Sequence, residues 1–140
     1  MKNIVLNIKS AQDLGYDTDS MELISVGKYS NENGIISLIY DESVALGVDG
    51  VTTTLTVDSD NIVMLNRTGN AYNDFIVEVG RRHQCQYSTQ YGDISIGVSG
   101  DSVENKLEET GELILKYSID ADSRLISKNE MIIKISEDEN

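Results

Sequence analysis

Proline and tryptophan are absent from the 140-residue chain, and cysteine and phenylalanine each occur once. Without proline, strands keep all their backbone N–H donors, and turns must rely on Gly, Asn and Asp. The lone Cys85 excludes an internal disulfide. No run approaches the roughly 20 apolar residues of a membrane helix, and no apolar stretch like that of a secretory signal begins the chain. We therefore expect a cytoplasmic protein that does not bind membranes.

Basic residues are also scarce: 11 Lys and Arg stand against 24 Asp and Glu, for a net charge of −13. Such a surface repels the phosphates of nucleic acids. The one basic cluster, Arg81-Arg82-His83, is interpreted as a solvated turn. We expect no nucleic-acid partner. The length predicts a single domain over residues 1–140, with 137–140 as a short acidic tail.

The hydrophobic pattern has a period of two, which is typical of strands with one buried face. Predicted strands cover residues 4–9, 22–29, 36–42, 51–57, 61–67, 74–79, 83–89, 93–99, 113–119 and 131–135. Polar turn signals lie at 31–34, 58–61, 70, 80, 100–101 and 120–122. Residues 11–20 are predicted as a loop, 41–50 could hold a helical turn, and 103–107 favour a strand over a helix. The connections are too short for parallel crossovers, so neighbouring strands should pair antiparallel.

This all-β antiparallel meander would leave two open edges unless it curls. We predict closure into a barrel of about 8–10 strands, with a two-sheet sandwich as the alternative. Inward Ser25, Gly27 and Gly97 would be small enough to leave space inside.

Residues 75–87 are predicted as a hairpin with a three-residue loop, Gly80-Arg81-Arg82. That register would place three facing pairs on one face: Phe75 with Tyr87, Val77 with Cys85, and Val79 with His83. His83 and Cys85 could form a nucleophilic pair, but no orienting acid or oxyanion motif accompanies them. We interpret Cys85 as a core residue. One His and one Cys are too few for a structural zinc site, and no enzymatic signature is present, so no enzyme, cofactor or metal is predicted.

Two charged residues continue apolar strand faces. Arg67 follows Val63 and Leu65, and Glu42 follows Leu38 and Tyr40. Inside a barrel each charge would need a partner. The structural interpretation is an Arg67–Glu42 ion pair, or Arg67 bound to tyrosine hydroxyls. The functional interpretation is an anion-binding group in a pocket lined by His83, Tyr87, Tyr91 and Tyr117. Both stay open.

Several segments in order resemble the YwiB-like bacterial family of domains of unknown function. They are Thr52-Thr53-Thr54-Leu55, Asn66-Arg67-Thr68-Gly69, Gly80-Arg81-Arg82-His83, Tyr87-Ser88-Thr89-Gln90-Tyr91-Gly92, Leu115-Lys116-Tyr117 and Ile133-Lys134-Ile135. Gln90 replaces a proline that is usual in that family. The resemblance implies a calycin-like, or lipocalin-like, barrel and carries no established activity. Family-matching residues that could line the barrel and bind a ligand are Tyr40, Glu42, Arg67, His83, Tyr87, Thr89 and Tyr91, and Tyr117 is a further candidate.

Two functions follow from these observations. The barrel could bind a small polar or anionic molecule inside. Alternatively, it could be a filled structural module that forms a homodimer through the apolar outward residues Ile24, Val26, Ile114 and Ile132.

Overall fold

Ten antiparallel strands, each paired with its neighbours in sequence, form a closed barrel. The computed structural model describes residues 1–41, 51–69, 73–89, 92–122 and 124–137, with only the backbone described at 73 and 87–89. The strands are β1 Lys2–Asp13, β2 Thr18–Glu32, β3 Ile35–Asp41, β4 Val51–Val57, β5 Val63–Gly69, β6 Asn73–Val77, β7 Arg82–Thr89, β8 Gly92–Lys106, β9 Glu112–Ala121 and β10 Arg124–Glu137. The barrel closes where β1 pairs with β10. The predicted all-β meander and its closure are confirmed. No helix in the described ranges is long and apolar enough to cross a membrane.

The first hairpin is longer than predicted. Residues 11–20 do not form a loop, because Asp13 pairs with Thr18 and only Leu14–Asp17 turns. Gly15 supplies a φ of 89°, and its N–H donates to Asp13 Oδ1 at 2.9 Å. Ladder hydrogen bonds need only the backbone, so these polar residues form strands even where they leave the core.

Strand β8 joins two segments that were predicted as separate. The predicted turn at Gly100-Asp101 is wrong: a bulge lies there, between Gly100 and Ser102, within one continuous strand. The Ser118 hydroxyl donates to Asp101 Oδ2 at 2.9 Å and fixes the bulged residue. The bulge lets β8 bend with the barrel and continue to Lys106. The strand predicted for 103–107 is thus confirmed as far as Lys106, and Leu107 lies in the turn that follows.

The β6–β7 turn differs from the predicted three-residue loop. Val79 and Gly80 form a two-residue turn, in which the Arg81 N–H donates to the Glu78 carbonyl at 3.1 Å and Gly80 has a φ of 82°. Asn73, rather than Phe75, lies opposite Tyr87. The observed β6–β7 register is thus shifted by two residues from the predicted one, and a shift of two leaves each side chain on the same face of the sheet. Val79, however, is 54% exposed and does not face inward.

The barrel interior is filled over much of its length. Inward side chains with at most 2% exposure are Ile4, Leu6, Leu38, Leu55, Val57, Val63, Val98, Leu113, Leu115 and Ile133. Gly27 leaves no space, since a Cβ there would lie 2.5 Å from the Ile39 carbonyl oxygen. Gly97 lies beneath the Arg82 guanidinium, which extends over the outer surface. The expectation that these two glycines open the interior is therefore wrong.

Arg82 and Asp120 link β7 to β9 across β8. Arg82 donates from Nε to Asp120 Oδ2 at 2.9 Å and from Nη2 to Oδ1 at 2.8 Å. A side chain at Gly97 would collide with this guanidinium. The hydrogen bonds from Arg82 lower the pKa of the Asp120 carboxyl below its usual 3.8, and those same bonds raise the pKa of Arg82.

The stabilising effect of Asp120 should depend on pH. Its folded pKa lies below its unfolded pKa, so the carboxylate stabilises the fold above about pH 4 and this contribution is lost as pH falls through the folded value. We expect Asp120→Asn to reduce the free energy of unfolding near neutrality by an amount that shrinks on acidification. Urea unfolding of both proteins from neutral to acidic pH measures it. Arg82→Gln, which removes the partner, should abolish this pH dependence. A difference that persists undiminished well below the usual Asp pKa would contradict the assignment.

Candidate functional site

A cavity of about 300 Å³ lies inside one end of the barrel. This end, which we call the mouth, is where β1 ends at Asp13 and β2 begins at Thr18. The inward residues that line the cavity are Ser10, Gln12, Asp19, Met21, Leu65, Arg67, Phe75, Tyr117, Ile119, Asn129 and Met131. They come from β1, β2, β5, β6, β9 and β10. The cavity therefore borders the part of the described interior that buried side chains fill.

Side-chain alternation gives this cavity a polar layer and an apolar layer. At the mouth, Gln12 pairs with Asn129, which in turn pairs with Tyr117. Two residues deeper on β10, Met131 pairs with Leu115. Leu65 and Phe75 also pair with each other. An occupant would thus meet hydrogen-bonding groups near the mouth and hydrocarbon below them.

Arg67 brings positive charge to the cavity wall. It follows the buried Val63 and Leu65 on β5, and it lies opposite Thr53 of β4. Its Nε is buried. A guanidinium is planar, stays charged and can bind a carboxylate or phosphate through two parallel hydrogen bonds. This side chain is the element of the site that can hold an anion.

Tyr117 adds a phenol to the same cavity. Burial raises the pKa of its hydroxyl, and the positive charge of Arg67 offsets part of that rise. Tyr117 therefore stays protonated at neutral pH and can donate a hydrogen bond. Beside it, Asn129 Nδ2 donates to the hydroxyl of the buried Ser127 at 3.0 Å, which orients the amide.

The structure brings together some of the predicted site residues. Arg67 and Tyr117 line the cavity. Tyr40 is buried on β3 opposite Thr53, outside the cavity lining. Tyr87 and Thr89 lie near the mouth on β7, where the backbone alone is described. Glu42 and Tyr91 fall outside the described residues, so the Arg67–Glu42 pair stays a prediction.

His83 lies outside the cavity. Its Nε2 is 2.9 Å from Glu78 Oε1, and Arg81 Nε lies 3.7 Å from the other carboxylate oxygen. These contacts form a charged cluster at the β6–β7 turn, away from the mouth. His83 is therefore not among the residues that line this cavity with Arg67, because β7 begins at the opposite end of the barrel.

Cys85 does not form a nucleophilic pair with His83. The Cys85 Sγ contacts the His83 carbonyl oxygen at 3.7 Å, while the imidazole Nε2 contacts Glu78. Burial raises the pKa of the Cys85 thiol, which disfavours the reactive thiolate. Within the described residues, no three His, Cys, Asp or Glu side chains are grouped as metal ligands.

Sequence reasoning missed the contribution of the first hairpin. Ser10, Gln12, Asp19 and Met21 all line the cavity, yet most of this stretch was predicted as a loop. The signal was present, because Ser10 and Gln12 continue the phase of Ile4, Leu6 and Ile8. The strand was not predicted to continue past Lys9 because the inward side chains change from apolar to polar there.

Comparison with known proteins gives a family and a fold. A family model described as Domain of unknown function (DUF1934) matches residues 6–133. The crystal structure of the YwiB protein from Bacillus subtilis matches with a TM-score of 0.78 and 19% identity, covering 98% of this chain and 92% of that one. No curated protein matches the chain. These findings confirm the YwiB-like resemblance and the barrel.

Proposed function

The chain belongs to the DUF1934 family, whose function is unknown, and we propose that it binds a small anionic molecule in the mouth of its barrel. The observation that carries this proposal is the cavity of about 300 Å³ lined by Arg67. Its volume is at the lower end of the range for small-molecule sites. A small molecule, rather than a protein segment, is the occupant that fits.

The charges at the cavity favour an occupant with one negative charge. Arg67 supplies a fixed positive charge and Tyr117 a neutral donor. Asp19 also lines the cavity, and its carboxylate opposes a second negative charge on the ligand. Leu65, Phe75 and Met131 offer hydrocarbon for the rest of the molecule.

Replacement of Arg67 should weaken anion binding. We expect Arg67→Met to weaken the binding of hexanoate and phenyl phosphate at least tenfold, since a charge-assisted hydrogen bond contributes about 1.5–3 kcal/mol. Isothermal titration calorimetry on the full chain measures this. Arg67→Lys keeps the positive charge but loses the planar guanidinium. Its affinity for the two probes should therefore lie between the affinities of the unmodified protein and of Arg67→Met.

Two outcomes would overturn the proposal. The first is that neither probe binds the unmodified protein, and the second is that both probes bind Arg67→Met with unchanged affinity. Circular dichroism and urea unfolding of each variant show whether the barrel is intact, so that loss of binding is not mistaken for loss of fold.

Self-association is the second candidate function, and two exposed residues support it. Ile24 and Val26 on the outer face of β2 are 60% and 63% exposed. The other two residues of the predicted contact, Ile114 and Ile132, are half-buried among ion pairs such as Lys9–Glu22 and Lys134–Glu112. That surrounding charge reduces the continuous apolar area. Sedimentation velocity distinguishes a homodimer from a monomer.

A further inference from the structure

We propose that the ligand of the mouth cavity is a zwitterion whose two charges lie at opposite ends of a short hydrocarbon chain. Arg67 would bind its carboxylate, and Asp19 would bind its ammonium group. This inference rests on the proposed function, because it concerns the same cavity. It adds the chemical class of the ligand and the residue that recognises its positive charge.

Two side chains of opposite charge line the cavity, and the barrel wall keeps them apart. Arg67 lies on β5 and Asp19 on β2. Strands β3 and β4 separate them in the order of the barrel. Three ladder spacings, about 14 Å along the wall, therefore lie between their backbones. A ligand that contacts both side chains must carry its own two charges some distance apart.

The Asp19 carboxylate has no cationic partner among the described residues. Its Oδ1 accepts the N–H of the next residue, Ser20, at 2.9 Å. None of the ion pairs in the described ranges includes Asp19. On the outer face of the same hairpin, by contrast, Glu22 pairs with Lys9 at 3.6 Å. A positively charged group of the ligand would give Asp19 the partner that Glu22 already has.

Amide groups beside Asp19 supply further acceptors for an ammonium group. Gln12 lies opposite Asp19 on the β1–β2 ladder and opposite Asn129 on the β1–β10 ladder, and all three line the cavity. Asn129 donates from its Nδ2 to Ser127, which leaves its Oδ1 as an acceptor. An ammonium group has three N–H donors. One carboxylate and two amide oxygens match that number.

The hydrocarbon between the two charges would lie on the apolar layer of the cavity. Leu65, Phe75 and Met131 form this layer, below the polar residues of the mouth. Methylene groups that cross the cavity would bury their apolar surface there. Asp19 is exposed, so a strongly hydrated ammonium group would keep part of its water at the mouth. These features favour a linear ω-amino acid over an α-amino acid, in which the two charges are adjacent.

A pair of isomers tests this separation of charge by calorimetry on the full chain. In ω-aminohexanoate the ammonium lies at the far end of the hydrocarbon, whereas in norleucine it lies next to the carboxylate. Hexanoate lacks the ammonium altogether. We expect ω-aminohexanoate to bind about fivefold more tightly than either, which is about the most that one exposed ion pair contributes. Binding of ω-aminohexanoate that is no tighter than that of both other acids would overturn the assignment.

Asp19→Asn tests the residue that would bind the ammonium. The variant removes the charge and keeps an oxygen for the Ser20 N–H, so the hairpin should remain intact, which urea unfolding checks. The fivefold advantage of ω-aminohexanoate over hexanoate should disappear. Hexanoate itself should bind at least as tightly as it binds the unmodified protein, because a nearby negative charge has been removed.

Asp17→Asn is the matched control. Asp17 belongs to the same hairpin, and its Oδ1 likewise accepts the N–H of the next residue, at 2.8 Å, but it does not line the cavity. This variant makes the same change of net charge and should keep the full advantage of ω-aminohexanoate. Equal losses in Asp17→Asn and Asp19→Asn would show an effect of net charge alone and would overturn the role of Asp19.

The outcomes separate this inference from the function on which it rests. If Arg67→Met weakens hexanoate binding but ω-aminohexanoate has no advantage in the unmodified protein, the zwitterion is wrong and the anion site stands. If Arg67→Met binds both acids normally, both proposals are wrong. An advantage that is lost in Asp19→Asn and kept in Asp17→Asn supports the assignment.

Discussion

Gly100→Ala is expected to lower the free energy of unfolding by about 3 kcal/mol. A Cβ at this position would lie 2.5 Å from the Glu78 carbonyl oxygen and 2.9 Å from the Val79 nitrogen. Both are backbone atoms, and the Gly80 N–H donates to the Gly100 carbonyl at 3.1 Å, so the β6–β7 turn cannot move away without losing that bond. Urea unfolding monitored by circular dichroism measures the loss.

Gly97→Ala is the matched control for this prediction. The three atoms nearest to its Cβ would all belong to the guanidinium end of Arg82, which can rotate to another position. We expect a clearly smaller loss of stability than for Gly100→Ala. Equal losses would mean that the turn at Val79-Gly80 adapts as easily as a side chain, and that its contact with β8 is not rigid.

Replacing inward side chains by alanine should lower the free energy of unfolding more in the filled part of the barrel than at the mouth. Leu115 is 2% exposed, and Leu115→Ala should cost about 3 kcal/mol through lost apolar burial and the void that remains. Its ladder neighbour Met131 lines the cavity and is half-buried. Met131→Ala should cost only about 1 kcal/mol, since less apolar surface is removed from burial. Chemical unfolding of the two variants provides the comparison.

A second measurement follows from the same pair of variants. Met131→Ala enlarges the cavity where the hydrocarbon of a ligand would lie, so it should keep its ability to bind hexanoate. If both variants lose the same free energy, the cavity is packed as tightly as the core and cannot admit a ligand without rearrangement.

The period-two pattern was sufficient to predict the barrel because each strand buries one face. It placed Ile4, Leu6 and Ile8 inward, together with most of the core. The positions of the bulge and of the tight turn could not be predicted from this pattern. The bulge at Gly100 lies in the β8–β9 ladder, and the two-residue turn at Val79-Gly80 contacts β8 through the Val79–Gly100 bridge. The hydrophobic pattern within one segment does not predict such contacts between strands.

The candidate site was predictable where it interrupts an apolar series. Arg67 stands out after Val63 and Leu65, and Tyr117 after Leu113 and Leu115. The complete burial of the neighbouring Thr53 was not predictable, because this residue lies among three consecutive threonines. Its complete burial depends on Tyr40 and Arg67 on the two flanking strands, and those neighbours are known only once the register is known.

Closure by the β1–β10 pair has a consequence for synthesis on the ribosome. Every other ladder joins strands that are adjacent in sequence, so those hairpins can form as the chain emerges. The pairs Ile4–Glu137 and Leu6–Ile135 must wait until β10 has been made. Until then, β1 and β9 each present an unpaired edge, which can pair with other chains. The last strand made is thus the one that removes both of these aggregation-prone edges.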